Sequence, residues 1–181
     1  DSCTIFVHAC EKCGGTRSQS RIHVPRGSVA TPSKPFEVIH VDHKGPLPRL
    51  GDMTHILVVV CALTGYVLYI PVKTTGGEDS LTAMITYVFS IFGTPLVIIS
   101  DNGTAFANRL IKAAASLYGY RWIYVKAGTP KSNGLAEVNV KRIKNLLDRH
   151  TDEYQDWVHI LPMAQMLMNQ RTHSRSGMSA F

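Results

Sequence analysis

Three acidic residues sit where a carboxylate is costly unless something answers it. Asp42 lies in the run Phe36-Glu37-Val38-Ile39-His40-Val41-Asp42-His43. A strand heading into a sheet core rarely carries an Asp without a partner. Asp101 directly follows the apolar run Leu96-Val97-Ile98-Ile99-Ser100, at the carboxyl end of a predicted strand, where α/β sheets gather their sites. Glu137 stands near the start of a long helical pattern, just after the loop Gly128-Thr129-Pro130-Lys131-Ser132-Asn133-Gly134. Singly, each has a plain role: a cap at a strand exit, the first residue of an Asp-Asn-Gly turn, a favourable charge on a helix N-terminus. Jointly, they are hard oxygen donors on three ordered elements, a set suited to divalent cations. Two such ions about 3.5–4 Å apart activate the attacking oxygen of a phosphodiester reaction and steady the leaving one. Without metal, the three charges repel and should raise one another's pKa.

Lys141 and Lys144 follow Glu137 by four and seven positions and share its helix face, while Val140, Ile143 and Leu147 fall on a separate, core-like face. That row puts two cations beside the acids, where a nucleic-acid backbone would run. An ordinary solvated face with a Glu–Lys pair is the plainer alternative. By strand alternation His43 points away from its neighbour Asp42, so it is read as structural or supporting and not as a ligand. Cys10-Glu11-Lys12-Cys13 has the spacing of half a zinc site. No second pair of ligands completes it, and two thiols in an N-terminal linker is the simpler reading.

The elements that must position these residues can be read from pattern. The chain has 181 residues, 45% of them hydrophobic and 18% charged, a composition for one globular domain and not for a disordered chain. No apolar run reaches the length of a membrane span, and the first residues lack the basic start of a secretory signal. Nineteen Lys and Arg against 13 Asp and Glu give a net charge of +6, which allows a polyanionic partner without establishing one. Four cysteines are too few for a disulfide scaffold and point to a reducing compartment. Residues 1–35, with scattered Pro, Gly and Ser, read as a tail or linker. Strands are expected over 36–43, 55–62, 66–73, 96–100 and 121–125. Helices are expected over 81–92, 104–118, 135–150 and 157–170, the last with Pro162 in an early turn or at a kink. On the 104–118 helix, Phe106, Leu110, Ala113, Ala114 and Leu117 form the expected buried face. The order predicts a mixed α/β sheet with helices on its faces.

Glu137 follows Asp101 by 36 positions, and the segments Ser100-Asp101-Asn102-Gly103-Thr104-Ala105-Phe106 and Gly128 to Glu137 surround the two. Two Asp and a Glu at that gap resemble the catalytic core of retroviral and LTR-retrotransposon integrases. The opening Pro35-Phe36 through His40-Val41-Asp42-His43-Lys44-Gly45-Pro46 resembles the Ty3/gypsy branch in particular, as does the closing stretch from Leu161-Pro162-Met163-Ala164 to Gly177-Met178-Ser179-Ala180-Phe181. Cys10 and Cys13 resemble the last half of the family's His-His-Cys-Cys zinc module.

The resemblance implies a ribonuclease-H-like fold, a five-stranded mixed sheet with helices on both faces, spanning 36–181. It implies Asp42, Asp101 and Glu137 as catalytic acids and ligands of two Mg²⁺ (or Mn²⁺) ions, with zinc belonging to the N-terminal segment of the full-length protein. It implies contacts to element-end DNA from Lys141, Lys144, Asn133, Lys131 and Ser132. The function implied is 3′-end processing and strand transfer of cDNA into host DNA, in the nucleus after a cytoplasmic phase. A homodimer or higher oligomer is implied, with a chromatin or host protein as a further partner and no membrane. On this reading the chain begins inside the zinc module and stops before a C-terminal DNA-binding domain. Three positions depart from the family pattern: Cys61 stands where an acid is usual, Gly65 where a basic residue is usual, and Val138 where Arg often follows the catalytic Glu. The alternative is therefore a host-domesticated module that binds protein or nucleic acid without turnover.

Overall fold

Residue 55 opens a run, His55-Ile56-Leu57-Val58-Val59-Val60-Cys61, in which every side chain after the first is buried. A strand buried on both faces must lie inside a sheet with helices above and below, and this one does. The computed structural model describes residues 31–101, 106, 108–125, 134–150, 156–172 and 177–180, all in the unit Thr31–Phe181. Among the described residues there are five strands: β1 (Val38–Lys44), β2 (His55–Cys61), β3 (Val67–Val72), β4 (Val97–Asp101) and β5 (Arg121–Val125). The helices are α1 (residues 77–92), α2 (Arg109–Tyr118), α3 (Gly134–His150) and α4 (Trp157–Gln170). The sheet order is β3-β2-β1-β4-β5. β1 is antiparallel to β2 and β2 to β3, whereas β1–β4 and β4–β5 are parallel. This is the expected mixed sheet with a ribonuclease-H-like topology, and the element order matches the prediction throughout.

Alternation along the strands divides the core. Val41, Leu57, Val59, Leu68 and Ile70 pack with Leu81, Met84, Val88 and Phe89 of α1 and Ile111 and Ala114 of α2. Ile56, Val58, Val60, Val67 and Tyr69 pack with Ile143, Leu146 and Leu147 of α3 and Trp157, Leu161 and Ala164 of α4. No helix among the described residues is long and apolar enough to cross a membrane.

Two helices differ from expectation in detail. The central turn of α1, Ile85–Phe89, is π-helical, and the extra residue turns Phe89 inward beside Val88. α2 starts at Arg109, not at 104, because the Asn108 side chain accepts the Ile111 amide as an N-cap. Its buried face is accordingly Ile111 and Ala114, while Leu110 and Leu117 are exposed at 44% and 77%. Phe106 is buried as expected, but from the segment before the helix.

α4 closes one edge of the sheet. The amide of Asn169, fully buried, accepts from Val67 N at 2.8 Å and donates to Val67 O at 2.9 Å, and Gln165 accepts from Tyr69 N at 3.0 Å. These side chains satisfy the outer backbone of the edge strand β3, which would otherwise be open to another strand.

Candidate active site

Asp42 and Asp101 occupy equivalent places on neighbouring parallel strands. The β1–β4 register pairs Val38 with Val97, Ile39 with Ile98 and His40 with Ile99. The same offset carried two residues further sets Asp42 opposite Asp101. Burial falls at that end: Val38–Val41 and Val97–Ser100 are buried, and both aspartates are half-buried. The strands thus deliver two carboxylates to the carboxyl edge of the sheet, where a substrate can reach them. Glu137 approaches from the first turn of α3, a helix that packs on β1 and β2 through Ile143 and Leu147.

The three acids share one field. Burial holds the Asp42 carboxyl well above its ordinary 3.8, at about 6; the His43 amide works against this, and the charges of Asp101 and Glu137 add to it. One oxygen of Asp42 accepts that amide at 2.7 Å. The donor set is all carboxylate oxygen, two thirds of it on rigid strands, which suits Mg²⁺ or Mn²⁺. Among the described residues no three His, Cys, Asp or Glu side chains stand close enough to hold one ion.

Residues outside the triad brace both strands. Ser100 is buried; its hydroxyl donates to Asp101 O and accepts from Trp122 Nε1, each at 2.8 Å. Tyr124 Oη donates to Phe106 O at 2.8 Å, and Trp122 lies between Phe106 and Tyr124 with ring centroids 5.2 and 6.2 Å away. On the other strand, His43 stacks on Phe106 and bonds Ser80 of α1. Its imidazole is pushed down to about 4, by burial first and then by the charge of His55, so it is neutral at pH 7. Sequence reasoning set His43 aside from the ligands but missed Ser80, Ser100 and Trp122. One signal was present: Tyr120, Trp122 and Tyr124 alternate with period two, the mark of an aromatic face on a strand and its approach.

On α3, Glu137, Lys141 and Lys144 are all exposed, while Ile143 and Leu147 are fully buried and Val140 is half-buried, so the cationic row and the core-like face separate as the spacing indicates. Lys131, Ser132, Asn133, Cys10 and Cys13 lie outside the described residues. The departures at Cys61 and Gly65 fall away from the acids. Cys61 is buried at the far end of β2, where its sulfur accepts the Phe36 amide at 3.2 Å. Gly65 has φ of +74° in the β2–β3 turn, a conformation that disfavours a side chain. Val138 is exposed beside Glu137.

No family model matches the chain. Over 164 residues, 90% of its length, the chain is 29% identical to the Pro-Pol polyprotein of Simian foamy virus type 3 (strain LK3), of which it spans 14%. Over 180 residues, 96% of its length, it is 28% identical to the Gag-Pol polyprotein of Baboon endogenous virus (strain M7), of which it spans 10%. The chain thus corresponds to a small part of the curated relatives it matches. Among solved structures, the HTLV-2 integrase catalytic core domain in complex with magnesium, in its trimeric form, superimposes with a TM-score of 0.63 at 21% identity, covering 81% of this chain and 94% of that one. A chain of the simian T-cell lymphotropic virus intasome in complex with PP2A regulatory subunit B56 gamma superimposes with a TM-score of 0.71 at 19% identity, covering 99% of this chain and 64% of that one.

Proposed function

We propose that this chain, of the retroviral integrase core family by its Pol relatives and its fold, is the catalytic core of a DNA integrase carrying out 3′-end processing and strand transfer of retroelement cDNA. The observation that supports the reading is the placing of Asp42 and Asp101 side by side at the carboxyl edge of the sheet, where Asp42 feels the charge of both Asp101 and Glu137. Asp42, Asp101 and Glu137 would hold the divalent cations. Bound there, Mg²⁺ or Mn²⁺ supplies activation of the attacking oxygen and stabilisation of the leaving oxygen at phosphorus. The chain itself fixes two acids on strands, braces them through Ser100 and His43, and sets Lys141 and Lys144 along α3 to receive DNA phosphates. Placement in the Ty3/gypsy branch rests on the resemblance at 36–46 and 161–181, and a zinc module including Cys10 and Cys13 on the resemblance there.

Element ends and target DNA are the proposed substrates, with the nucleus as the place of reaction. Self-association uses α1 and α4, whose outer faces expose Tyr87 and Ile91, and Met163, Met166 and Leu167. The deciding experiment incubates the full-length protein with its own element's ends and Mg²⁺ or Mn²⁺. End nicking and joining are expected, and Asp42→Asn, Asp101→Asn or Glu137→Gln should each remove nearly all of both, because a partial ligand set cannot hold the ions in line. An inert parent, with triad variants that keep the biological role, would replace this reading with the domesticated binding module.

A further inference from the structure

The His43 side chain touches two segments outside its own strand. Its Nε2 lies 2.9 Å from Ser80 Oγ in the first turn of α1. The Ser80 hydroxyl gives its one proton to Gly76 O at 2.9 Å, so His43 Nε2–H is the donor to Ser80. The imidazole ring stacks on Phe106 with centroids 4.6 Å apart and planes 11° from parallel. Phe106 is itself 1% exposed, and its carbonyl accepts from Tyr124 Oη. The backbone N–H of the same His43 donates to Asp42 Oδ1 at 2.7 Å. The ring therefore sits on one face of β1 while its amide grips the carboxylate on the other.

Resting on the integrase reading, we propose that His43 is a positioning residue: its side chain, clamped between Ser80 and Phe106, holds the amide that aims the Asp42 carboxylate and thereby sets how tightly the acid cluster binds a divalent cation. A peptide plane turns as a unit. The β1–β2 ladder holds this plane on one side, while the β1–β4 pairing ends at His40; the ring's anchorage to Ser80 and Phe106 therefore restrains the side without a ladder, and losing it loosens the hydrogen bond that orients Asp42. Groups that orient a metal ligand through such a bond commonly govern affinity by about 10–100-fold.

The test is Mn²⁺ binding to the full-length protein, followed by the electron paramagnetic resonance of free Mn²⁺, with urea unfolding recorded on each variant. His43→Phe keeps the stack and loses the bond to Ser80; Ser80→Ala removes the same bond and leaves the imidazole in place. Each should weaken Mn²⁺ binding by about tenfold, and the double variant should be no weaker than either alone, since both break one link. His43→Gln, whose amide nitrogen reaches the place of Nε2, should recover most of the affinity. Lower stability with unchanged Mn²⁺ affinity in both single variants, or additive losses in the double, would overturn the proposal. Where His43→Phe does not fold, Ser80→Ala alone decides. Asp42→Asn is the control for the underlying reading: if it leaves Mn²⁺ binding unaltered, the acid cluster is not the metal site and both readings fall.

Discussion

Asp42→Asn should stabilise the metal-free protein at neutral pH, and the gain should appear over a defined pH window. The Asp42 carboxyl moves from 3.8 to about 6, chiefly through burial. Between those values the unfolded chain loses its proton while the folded one keeps it, so stability falls as pH rises and the loss is complete above about 6. At about 1.4 kcal/mol per pH unit the ceiling is about 3 kcal/mol. Partial exposure of the carboxylate reduces this to about 1–2 kcal/mol. His43 works in the opposite sense. Its imidazole falls from 6.5 to about 4, so its contribution grows as pH rises through much of the same range and offsets that of Asp42 in the parent's raw profile. The difference between parent and Asn variant isolates Asp42, because the amide keeps the shape and still accepts the His43 N–H. Urea unfolding in EDTA from pH 4 to 7.5 should show little difference at the acid end and the full advantage of the variant above pH 6. Saturating Mg²⁺ should then reverse the order, since ligand at 100 times its Kd adds about 2.7 kcal/mol to the state that binds it. A parent more stable than Asp42→Asn in EDTA at pH 7, or a difference independent of pH, would refute burial and charge crowding as the state of this carboxyl.

Three further outcomes follow from the same geometry. Lys141→Glu with Lys144→Glu should change folding stability by no more than about 1 kcal/mol, since both side chains are exposed. The pair should also flatten the salt dependence of binding to element-end DNA by about two units of log–log slope; an unchanged slope places the DNA elsewhere. Asn169→Leu should cost about 2–4 kcal/mol by leaving the buried N–H and C=O of Val67 without partners, read by urea unfolding, with light scattering reporting association through the opened β3 edge. Ile91→Glu on α1, where Ile91 is 65% exposed, should shift sedimentation of the protein toward monomer without loss of folding stability, and an unchanged sedimentation profile moves the self-association surface off α1.

What could be read in advance was whatever local spacing encodes. β2 is a continuous apolar run because both its faces are covered, and Asp101 stands out because it ends such a run. The separation of Glu137, Lys141 and Lys144 from Ile143 and Leu147 is simple helical period, and all of these fall where the period puts them. The misplaced face of α2 has a physical cause. Apolar residues at 106, 110 and 117 suggest one continuous helix, but the Asn108 cap starts the helix late, and packing against the sheet then selects Ile111 and Ala114. The supports of the site were hidden for a different reason. His43, Ser80 and Phe106 come from a strand, a helix and the segment before another helix, and no spacing rule joins positions so far apart. Ser80 in particular reads as part of an acidic helix start, a role that Asp79 already fills by accepting the Thr74 amide and hydroxyl. Burial leaves Ser80 available for His43 instead. The carboxylates could be singled out as candidates from chemistry because a charge on a buried strand demands a reason. The neutral groups that aim them satisfy one another, so they leave no such demand in the sequence and emerge only from the contacts.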